Sequence, residues 1–378
     1  MRSTDARGFV GRDGAGPRPI RVLQIAKYFH PDKGGIETVT GSIGRTLPLH
    51  GVTADVLCFA RDRDYSGFDY PFRVQRARTA HFFRDRPLSF EYLRLLRRSE
   101  SEYDAALLHL PNPLAALGVL THWTKPFVIL WHADIVGYGA AGRLFRPVER
   151  ALVERASGVI APTPAHVEGS YLAREIGPKA TIIPFPFDRG RFSEHTTFIP
   201  GLDAIEQFVR GRRLVLALAR LVRYKGIDVL VEASRHFPAD VAVCVVGVGP
   251  LRERLLRQIE RVGVGDRVLL AGDVPDEALP TLLRRTHVVV LPSVTRAEMY
   301  GLSQVEAMAF GKPVVSTKIP GSGVPYVNLD GQTGLVVPPN DAAMLARAVN
   351  SLCSDPALYA RLADGAADGG LDAQRAQG

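Results

Sequence analysis

The chain has 378 residues, of which 46% are hydrophobic and 23% are charged. This composition is typical of a globular protein and excludes a disordered chain, a collagen and a simple coiled coil. At about 150 residues per domain, the length predicts two domains. The apolar runs are far shorter than the roughly 18 residues that a membrane span needs, and no charged start leads into an apolar segment. We therefore predict neither a membrane helix nor a secretory signal.

Cysteine usage and charge narrow the functional classes. Three scattered cysteines, with no Cys or His spacing that suits zinc, predict a reducing, cytoplasmic location and no structural metal. The formal net charge is +8, and the surplus is concentrated in residues 71–98, which carry eight arginines and two acidic residues. Such a surplus suits a phosphorylated ligand or an anionic membrane surface. Nucleic-acid binding is not predicted, because no helix-turn-helix pattern or interleaved aromatic platform is present.

Along the chain, residues 1–19 have no hydrophobic period and are predicted to form a disordered leader. From Ile20 onwards, short apolar runs alternate with helical patterns, which predicts βαβ units around a parallel sheet in a first domain of residues 20–187. The predicted strands of this domain are Arg21–Ala26, Val52–Phe59, Ala105–Leu110, Phe127–Trp131, Gly158–Ala161 and Thr181–Ile183.

A linker at 188–212, rich in proline, glycine and charge, precedes a second alternating set at 213–363. The predicted fold class is therefore α/β, with two Rossmann-like, doubly wound parallel sheets facing a central cleft where ligands bind at strand carboxyl ends. Glycine-rich residues 364–378 predict an irregular, truncated tail. The predicted strands of the second domain are Leu214–Leu218, Val241–Gly247, Val268–Ala271, Val288–Leu291 and Val314–Ser316, and its predicted helices are Gly226–Arg235, Leu251–Val262, Glu277–Arg284 and Leu302–Phe310.

The turn after the first strand ends in two glycines, Gly34 and Gly35, at the predicted start of a helix. Glycine there allows a positive φ angle and a close backbone approach, and a helix N-terminus offers free N–H groups to a phosphate. An ordinary glycine turn explains the pair equally well. The G-x-G-x-x-G pattern of dinucleotide sites is absent from this turn.

Two histidines, His109 and His132, stand at the carboxyl ends of predicted strands. A histidine in this position faces the ligand-binding edge of a parallel sheet and can donate to a sugar hydroxyl or a phosphate. A buried structural role is an equal alternative for His109. For His132 we favour the ligand-facing role, because Asp134 lies close to it in the sequence.

Two cations, Arg220 and Lys225, frame the turn after the first strand of the second domain. Cations at a strand end beside a helix N-terminus suit a diphosphate. Glu298 follows a later strand of the same domain in a predicted loop. Lys225 and Glu298 are both predicted to lie in solvent-facing turns, so that replacing either by alanine would leave the fold intact.

A second glutamate, Glu306, follows Glu298 with seven residues between them and falls inside a predicted helix. The start of that helix, at Gly301 and Leu302, presents backbone N–H groups to an anion. One carboxylate on either side of a phosphate suits two hydroxyl groups, one on a sugar and one on a ribose. This arrangement is the most specific signal in the sequence.

In combination, these motifs resemble family 4 of the retaining glycosyltransferases, which have the GT-B architecture of two Rossmann-like domains. The resemblance extends from about Ile20 to Ala363 and includes the motif at 321–341. It implies that Arg220 and Lys225 hold the nucleotide diphosphate and stabilise it as it leaves. It also implies that Glu298 contacts hydroxyls of the donor sugar.

The same resemblance assigns roles to the remaining motif residues. Glu306 would bind the ribose, and the amides of Gly301 and Leu302, with Gly35, would cap phosphate oxygens. His132 would lie beside the donor sugar on the acceptor side. Because Arg220 and Lys225 take the place of a cation, the resemblance implies no metal cofactor.

Two shorter segments, at 109–114 and 131–135, look like a subgroup of bacterial mannosyltransferases that build O-antigen or exopolysaccharide. The implied activity is transfer of a hexose, with mannose from GDP-mannose favoured, to a growing, lipid-linked glycan with retention of configuration. The implied location is the cytoplasm, at the inner face of the membrane. Two alternatives are a nucleotide-sugar epimerase, for which we find no acid/base array, and a truncated chain that binds nucleotide sugar without turnover.

Residues 71–98 are predicted to dock on an anionic membrane. The pattern from Ser89 to Arg98 predicts an amphipathic helix, and the aromatics at 81–83 add to its apolar character. An ordinary helix that covers the sheet is an equal alternative, because core packing demands the same stripe. The predicted apolar positions are Phe90, Leu93 and Leu96, or Tyr92 and Leu95, and the flanking arginines are Arg94, Arg97 and Arg98.

Overall fold

The structure is a computed structural model that describes residues 18–375, apart from 63, 80, 83–86, 135–138 and 188–201. Most of the predicted leader at 1–19 and of the predicted linker at 188–212 lies outside the described residues.

The first sheet has seven strands in the order β3-β2-β1-β6-β7-β8-β9. The pairs β1–β2, β1–β6 and β2–β3 are parallel. The strand at Phe127–Trp131 is a continuous apolar run, as expected for a strand covered on both faces. The strands are β1 Ile20–Ile25, β2 Val52–Phe59, β3 Val74–Ala77, β6 Ala105–Leu110, β7 Phe127–Trp131, β8 Gly158–Ala161 and β9 Ala180–Ile182, and a separate antiparallel ribbon pairs β4 His81–Phe82 with β5 Pro87–Leu88.

Helices alternate with these strands along the chain. The first of them, α1, follows β1 directly and lies before β2, which gives the first βαβ unit. The helices in this part of the chain are α1 Gly35–Thr46, α2 Phe90–Ser99, α3 Pro113–His122, α4 Gly139–Arg155, α5 Pro164–Glu168 and α6 Ala173–Ile176.

The second sheet has six strands in the order β12-β11-β10-β13-β14-β15, and all of its pairs are parallel. Its strands are β10 Arg213–Leu218, β11 Val241–Val246, β12 Val268–Gly272, β13 Thr286–Leu291, β14 Val314–Thr317 and β15 Gly334–Val337. The helices that alternate with them are α7 Leu202–Val209, α8 Ile227–Ala233, α9 Arg252–Val262, α10 Leu279–Arg285, α11 Leu302–Ala309, α12 Val324–Val327, α13 Ala342–Ser354 and α14 Pro356–Arg375.

Strand β10 shows why this sheet carries a core on each face. Successive side chains of a strand point to opposite faces. Val215 and Ala217 accordingly belong to one apolar cluster, whereas Leu214 and Leu216 belong to another. All four are fully buried. The two predicted Rossmann-like parallel sheets are therefore confirmed.

The chain divides into two compact units. Unit 1 comprises Met1–Leu130 and Arg143–Val159, and unit 2 comprises Trp131–Gly142 and Ile160–Gly378. The short segment after β7, which carries the predicted site residue His132, thus belongs to unit 2.

The prediction of an irregular tail from residue 364 is wrong, because α14 continues as a helix through Arg375. Gly365 and Gly369 lie inside this helix, where glycine costs helical stability. The reason for Gly365 is packing, since a Cβ atom on it would lie 2.1 Å from the backbone oxygen of Gln332. The helix also buries Leu362 and Ala366 completely.

Across the described part of the chain, we find no helix with both the length and the apolar character that crossing a membrane requires. Among the same residues, no group of three or more His, Cys, Asp or Glu side chains is arranged to hold a metal ion.

Candidate functional site

The turn after β10 carries both predicted cations of unit 2. A 3-10 turn at Arg223–Lys225 ends at Gly226, whose φ of 63° lies in the left-handed region. Arg220 is exposed, and its Nη2 donates to the hydroxyl of Tyr224 at 3.3 Å. Through this turn the Arg220 side chain contacts Tyr224, which is the residue next to Lys225.

The structure joins Lys225 to Glu298, two residues that lie 73 positions apart in the sequence. Lys225 Nζ donates to Glu298 Oε2 at 2.5 Å, and Ser293 Oγ donates to the same oxygen at 2.7 Å. The Lys225 and Glu298 side chains are only 14% and 8% exposed. The prediction of solvent-facing turns is therefore wrong: this is a largely buried ion pair, and removing one partner leaves an uncompensated charge.

The backbone of the Glu298 loop is also fixed by side chains. Ser322 Oγ donates to the backbone oxygen of Glu298 at 2.5 Å, and Gly323 N donates to Met299 O at 2.8 Å. Within the described part of the chain, both hydrogen bonds to the Glu298 side chain are made to Oε2. Oε1 accepts no hydrogen bond from the described residues.

Helix α11 begins directly after this loop, as predicted. Gly301 precedes its first residue, Leu302, with a φ of 74°. A Cβ atom on Gly301 would lie 2.5 Å from Cδ2 of Leu291, so the chain approaches β13 closely there. Glu306 lies in α11 and is 9% exposed. The predicted order of loop, helix N-terminus and second glutamate is present.

His132 lies in a row of aromatic rings that reaches the start of α11. Its ring stacks on Phe185 with centroids 4.8 Å apart, and Phe185 meets Tyr300 edge-on at 4.9 Å. His132 is 6% exposed. Because Tyr300 precedes Gly301, the packing of unit 2 connects the His132 segment with the segment that contains Glu298.

The glycine pair Gly34–Gly35 lies in unit 1, at the N-terminus of α1, as predicted. Helix α1 starts at Gly35, and Gly34 has φ 170°, which is extended backbone that any residue adopts. Neither glycine has a φ angle in the left-handed region. The conformational argument for these two glycines is therefore wrong, although a Cβ atom on Gly34 would lie 2.3 Å from Oε2 of Glu37.

His109 is a buried residue of unit 1, only 1% exposed. Its Nε2 lies 3.2 Å from Oε1 of Gln24, and its Nδ1 lies 3.4 Å from Oγ1 of Thr40. Burial lowers the pKa of His109 to about 3. Of the two alternatives for this residue, the structure supports the buried structural role.

Lowering the pH is expected to destabilise the fold through His109. The folded chain keeps this histidine neutral down to about pH 3, whereas the unfolded chain takes up its proton near the ordinary histidine pKa of 6.5. The unfolded state thus binds more protons between these two pH values, so stability falls as the pH drops, by about 2 kcal/mol between pH 7.5 and pH 5. Thermal melts of the wild type and of His109→Gln at pH 7.5 and pH 5 measure this effect. A variant that loses as much stability as the wild type between the two pH values contradicts the assignment.

Sequence reasoning missed three side chains that organise the site. Ser293 follows β13 and is fully buried against Glu298. Asp134 and Arg296 form an ion pair at 2.7 Å between residues 162 positions apart. No local pattern marks such a pair, although the placement of Asp134 beside His132 was a partial signal.

Two family models match this chain. The model described as glycosyl transferase 4-like domain matches residues 34–186, and the model described as glycosyl transferases group 1 matches residues 201–368. The second match includes the Arg220 turn and the segment with both glutamates.

Three bacterial relatives are similar over most of their length. D-rhamnosyltransferase WbpZ of Pseudomonas aeruginosa is 29% identical, over 89% of this chain and 87% of the relative. O-antigen chain mannosyltransferase C of Escherichia coli is 27% identical, over 88% of each chain. The GDP-mannose-dependent alpha-(1-6)-phosphatidylinositol monomannoside mannosyltransferase of Mycolicibacterium smegmatis is 29% identical, over 89% of this chain and 90% of the relative.

Among solved structures, HepE of Anabaena in complex with UDP and glucose is similar in fold. The TM-score is 0.76 at 23% identity, with 94% of this chain and 95% of HepE covered.

Proposed function

The chain is a glycosyltransferase with the GT-B fold, containing a glycosyl transferase 4-like domain and a group 1 domain, and we propose that it moves mannose from GDP-mannose to a growing, lipid-linked glycan of the cell surface. The choice of sugar is supported by two relatives that are named as mannosyltransferases, one of them GDP-mannose-dependent. The choice of acceptor is supported by the O-antigen relative.

The contact between Lys225 and Glu298 carries this proposal. A buried ammonium group has three N–H donors, and Glu298 takes one of them. The remaining donors, with the exposed guanidinium of Arg220, suit the oxygens of a diphosphate. Glu298 in turn has Oε1 for a hydroxyl of the donor sugar. One ion pair thus combines contacts for the two halves of a nucleotide-diphosphate sugar.

In the proposed reaction, the bond between C1 of the sugar and the diphosphate oxygen breaks. A bond from C1 to the acceptor oxygen forms on the same face, so the configuration is retained, and the acceptor proton passes to the departing diphosphate. The difficult step is the build-up of negative charge on that leaving group. Arg220, Lys225 and the N-terminus of α11 supply positive charge there, so we propose that no metal cofactor is needed.

Thermal shift with a panel of sugar nucleotides tests the donor. GDP-mannose is expected to raise the melting temperature more than GDP-rhamnose, UDP-glucose or ADP-glucose, because a ligand that binds only the folded state stabilises it by mass action. Turnover of the binding nucleotide, with and without EDTA and with analysis of the product anomer, tests transfer, metal independence and retention. A preference for UDP-glucose would overturn the donor, and a β-linked mannoside would overturn retention.

We also propose that the basic stretch at 71–98 contacts an anionic membrane, but not through the whole of the predicted apolar stripe. Tyr92 and Leu96 of α2 are fully buried, and Tyr92 stacks on Phe59 with centroids 4.0 Å apart. These two residues cover the sheet of unit 1. Phe90, another residue of the predicted stripe, is 89% exposed, and Arg94, Arg97 and Arg98 of the same helix are exposed as well. The predicted aromatics at 81–83 lie outside the described side chains.

Co-sedimentation with phosphatidylglycerol vesicles is expected to separate two sets of arginine variants. The wild type should pellet at low salt and be released at high salt, since each arginine near an anionic surface contributes about 1 kcal/mol within a Debye length. Changing Arg94, Arg97 and Arg98 together to Gln should keep the protein in the supernatant. The matched control removes three arginines of α9 in unit 2, at positions 254, 257 and 261. Equal pelleting of both triple variants, or no pelleting of the wild type, contradicts membrane contact by α2.

A further inference from the structure

Asp134 is a carboxylate that unit 2 buries almost completely. Its side chain is 1% exposed. Oδ1 accepts hydrogen bonds from Trp131 Nε1 at 3.2 Å and from Ser170 Oγ at 2.7 Å, and Oδ2 accepts from Arg296 Nη1 at 2.7 Å. A buried carboxylate is tolerated only when its charge and lone pairs are satisfied. Three donors from three segments therefore fix the position of this side chain.

Arg296 is fixed equally well at its other end. Its Nε donates to the backbone oxygen of Gly321 at 2.8 Å, and its side chain is 27% exposed. A guanidinium group is planar and rigid, so two such bonds define its orientation as a single ammonium group could not. The small Gly169 makes room for it, since a Cβ atom there would lie 3.1 Å from Arg296 Nε.

The two residues of this ion pair lie in the two segments that carry Glu298 and His132, which were predicted to lie beside the donor sugar. Arg296 lies two positions before Glu298, and Asp134 lies two positions after His132. Within this loop, the backbone N–H of Glu298 donates a hydrogen bond to the backbone oxygen of Thr295 at 3.0 Å. Arg296 lies inside the turn that this bond closes, so a movement of Arg296 would also move the backbone of Glu298.

We propose that Asp134 and Arg296 are positioning residues for sugar transfer. They hold the Glu298 segment and the His132 segment in fixed positions relative to each other. The inference rests on the proposed function of Glu298 and adds to it. Glu298 contacts the sugar only if its loop is held in place, and this pair is a second long-range ionic contact of that loop, in addition to the one between Lys225 and Glu298. The pair acts through Glu298 and does not itself contact the donor.

A positioning role and a purely structural role predict different kinetics. Loss of positioning lowers kcat, because misplacement of a contact group raises the barrier while the nucleotide is still bound. Loss of structural support alone lowers the melting temperature and leaves kcat per folded molecule unchanged. Loss of a simple binding contact raises KM at constant kcat.

The test compares Arg296→Gln, Asp134→Asn and the double variant with the wild type, at a temperature where all four are folded. Each single variant is expected to lower kcat about tenfold or more, with KM for GDP-mannose changed by about twofold or less. The double variant is expected to be no slower than the slower single variant, because both changes remove one interaction. Arg296→Lys should recover part of kcat, since it keeps the charge beside Asp134 but loses the bond to Gly321.

Arg235→Gln is the control, because Arg235 pairs with Glu232 at 3.7 Å on the surface of the same unit. It is expected to keep wild-type kcat. Wild-type kcat in Arg296→Gln and Asp134→Asn, or strictly multiplicative losses in the double variant, would overturn the positioning role while leaving the proposed function intact. If the wild type neither binds nor turns over any sugar nucleotide, the proposed function fails and the positioning role fails with it.

Discussion

Replacing Lys225 by alanine is expected to slow sugar transfer by about 30- to 1,000-fold, which corresponds to about 2–4 kcal/mol of barrier for a charge-assisted contact to a developing anion. Lys225 Nζ is the buried cation of the candidate diphosphate site, and it is anchored by Glu298 at 2.5 Å. Glu298→Ala is expected to cause a comparable loss, because it removes the proposed sugar contact and also releases Lys225. Both losses should appear in kcat measured with GDP-mannose as donor.

The burial of this ion pair adds a cost to stability. Removing one partner of a buried pair typically costs about 3–5 kcal/mol, because the other charge stays behind without compensation. Lys225→Ala and Glu298→Ala should therefore each lower the melting temperature. The double variant should lose less stability than the sum of the two, since it leaves no unpaired charge.

Exposed Lys318 provides the matched control for loss of a lysine from the same unit. Lys318→Ala is expected to keep normal turnover and a normal melting temperature. Kinetics at a temperature well below every melting transition separate the loss of chemistry from the loss of fold. Near-normal turnover in Lys225→Ala would show that the diphosphate assignment is wrong.

The strands were more predictable from the sequence than the pairing of side chains. Four predicted strands, including Val52–Phe59 and Phe127–Trp131, have the predicted limits. Phe127–Trp131, for example, is a run of five apolar residues between Pro126 and His132, so its signal is local. The strand Gly334–Val337 was missed, because its four residues lie in a stretch read only as a motif.

The tail shows where local reasoning fails. Glycine in a helix is normally unfavourable, and residues 364–378 were therefore predicted to be irregular. Gly365 is instead required by a neighbour distant in sequence, the backbone of Gln332. A single sequence does not distinguish a glycine that ends a helix from one that allows close packing.

In the candidate site, too, the positions of single residues were predictable from the sequence, whereas the contacts between their side chains were not. The sequence predicted that Arg220, Lys225 and Glu298 follow strands and that Glu306 lies inside a helix, because the order of elements along the chain suffices to place them. The contact of Lys225 with Glu298, and that of Asp134 with Arg296, depend on side chains from distant loops. Such contacts require three-dimensional coordinates, because only the folded backbone defines which loops meet.

Gly226→Ala is expected to damage both stability and transfer, because the turn that presents Lys225 has no room for a methyl group. Gly226 has φ 63°, and a Cβ atom there would lie 2.0 Å from the backbone oxygen of Pro292. The same two loops are joined by the hydrogen bond from Val294 N to Tyr224 O at 2.8 Å. Alanine must therefore push the loops apart, and Lys225 must move away from Glu298.

Gly263 gives a control with the same backbone strain and no clash. It ends α9 with φ 74°, and no described atom lies within 4 Å of a Cβ placed on it. Gly263→Ala should cost only the left-handed conformation, about 1–2 kcal/mol, with normal kcat. Gly226→Ala should lose clearly more stability and should slow transfer about as much as Lys225→Ala does. Equal melting temperatures and equal kcat for the two variants would mean that the close approach of these loops does not position Lys225.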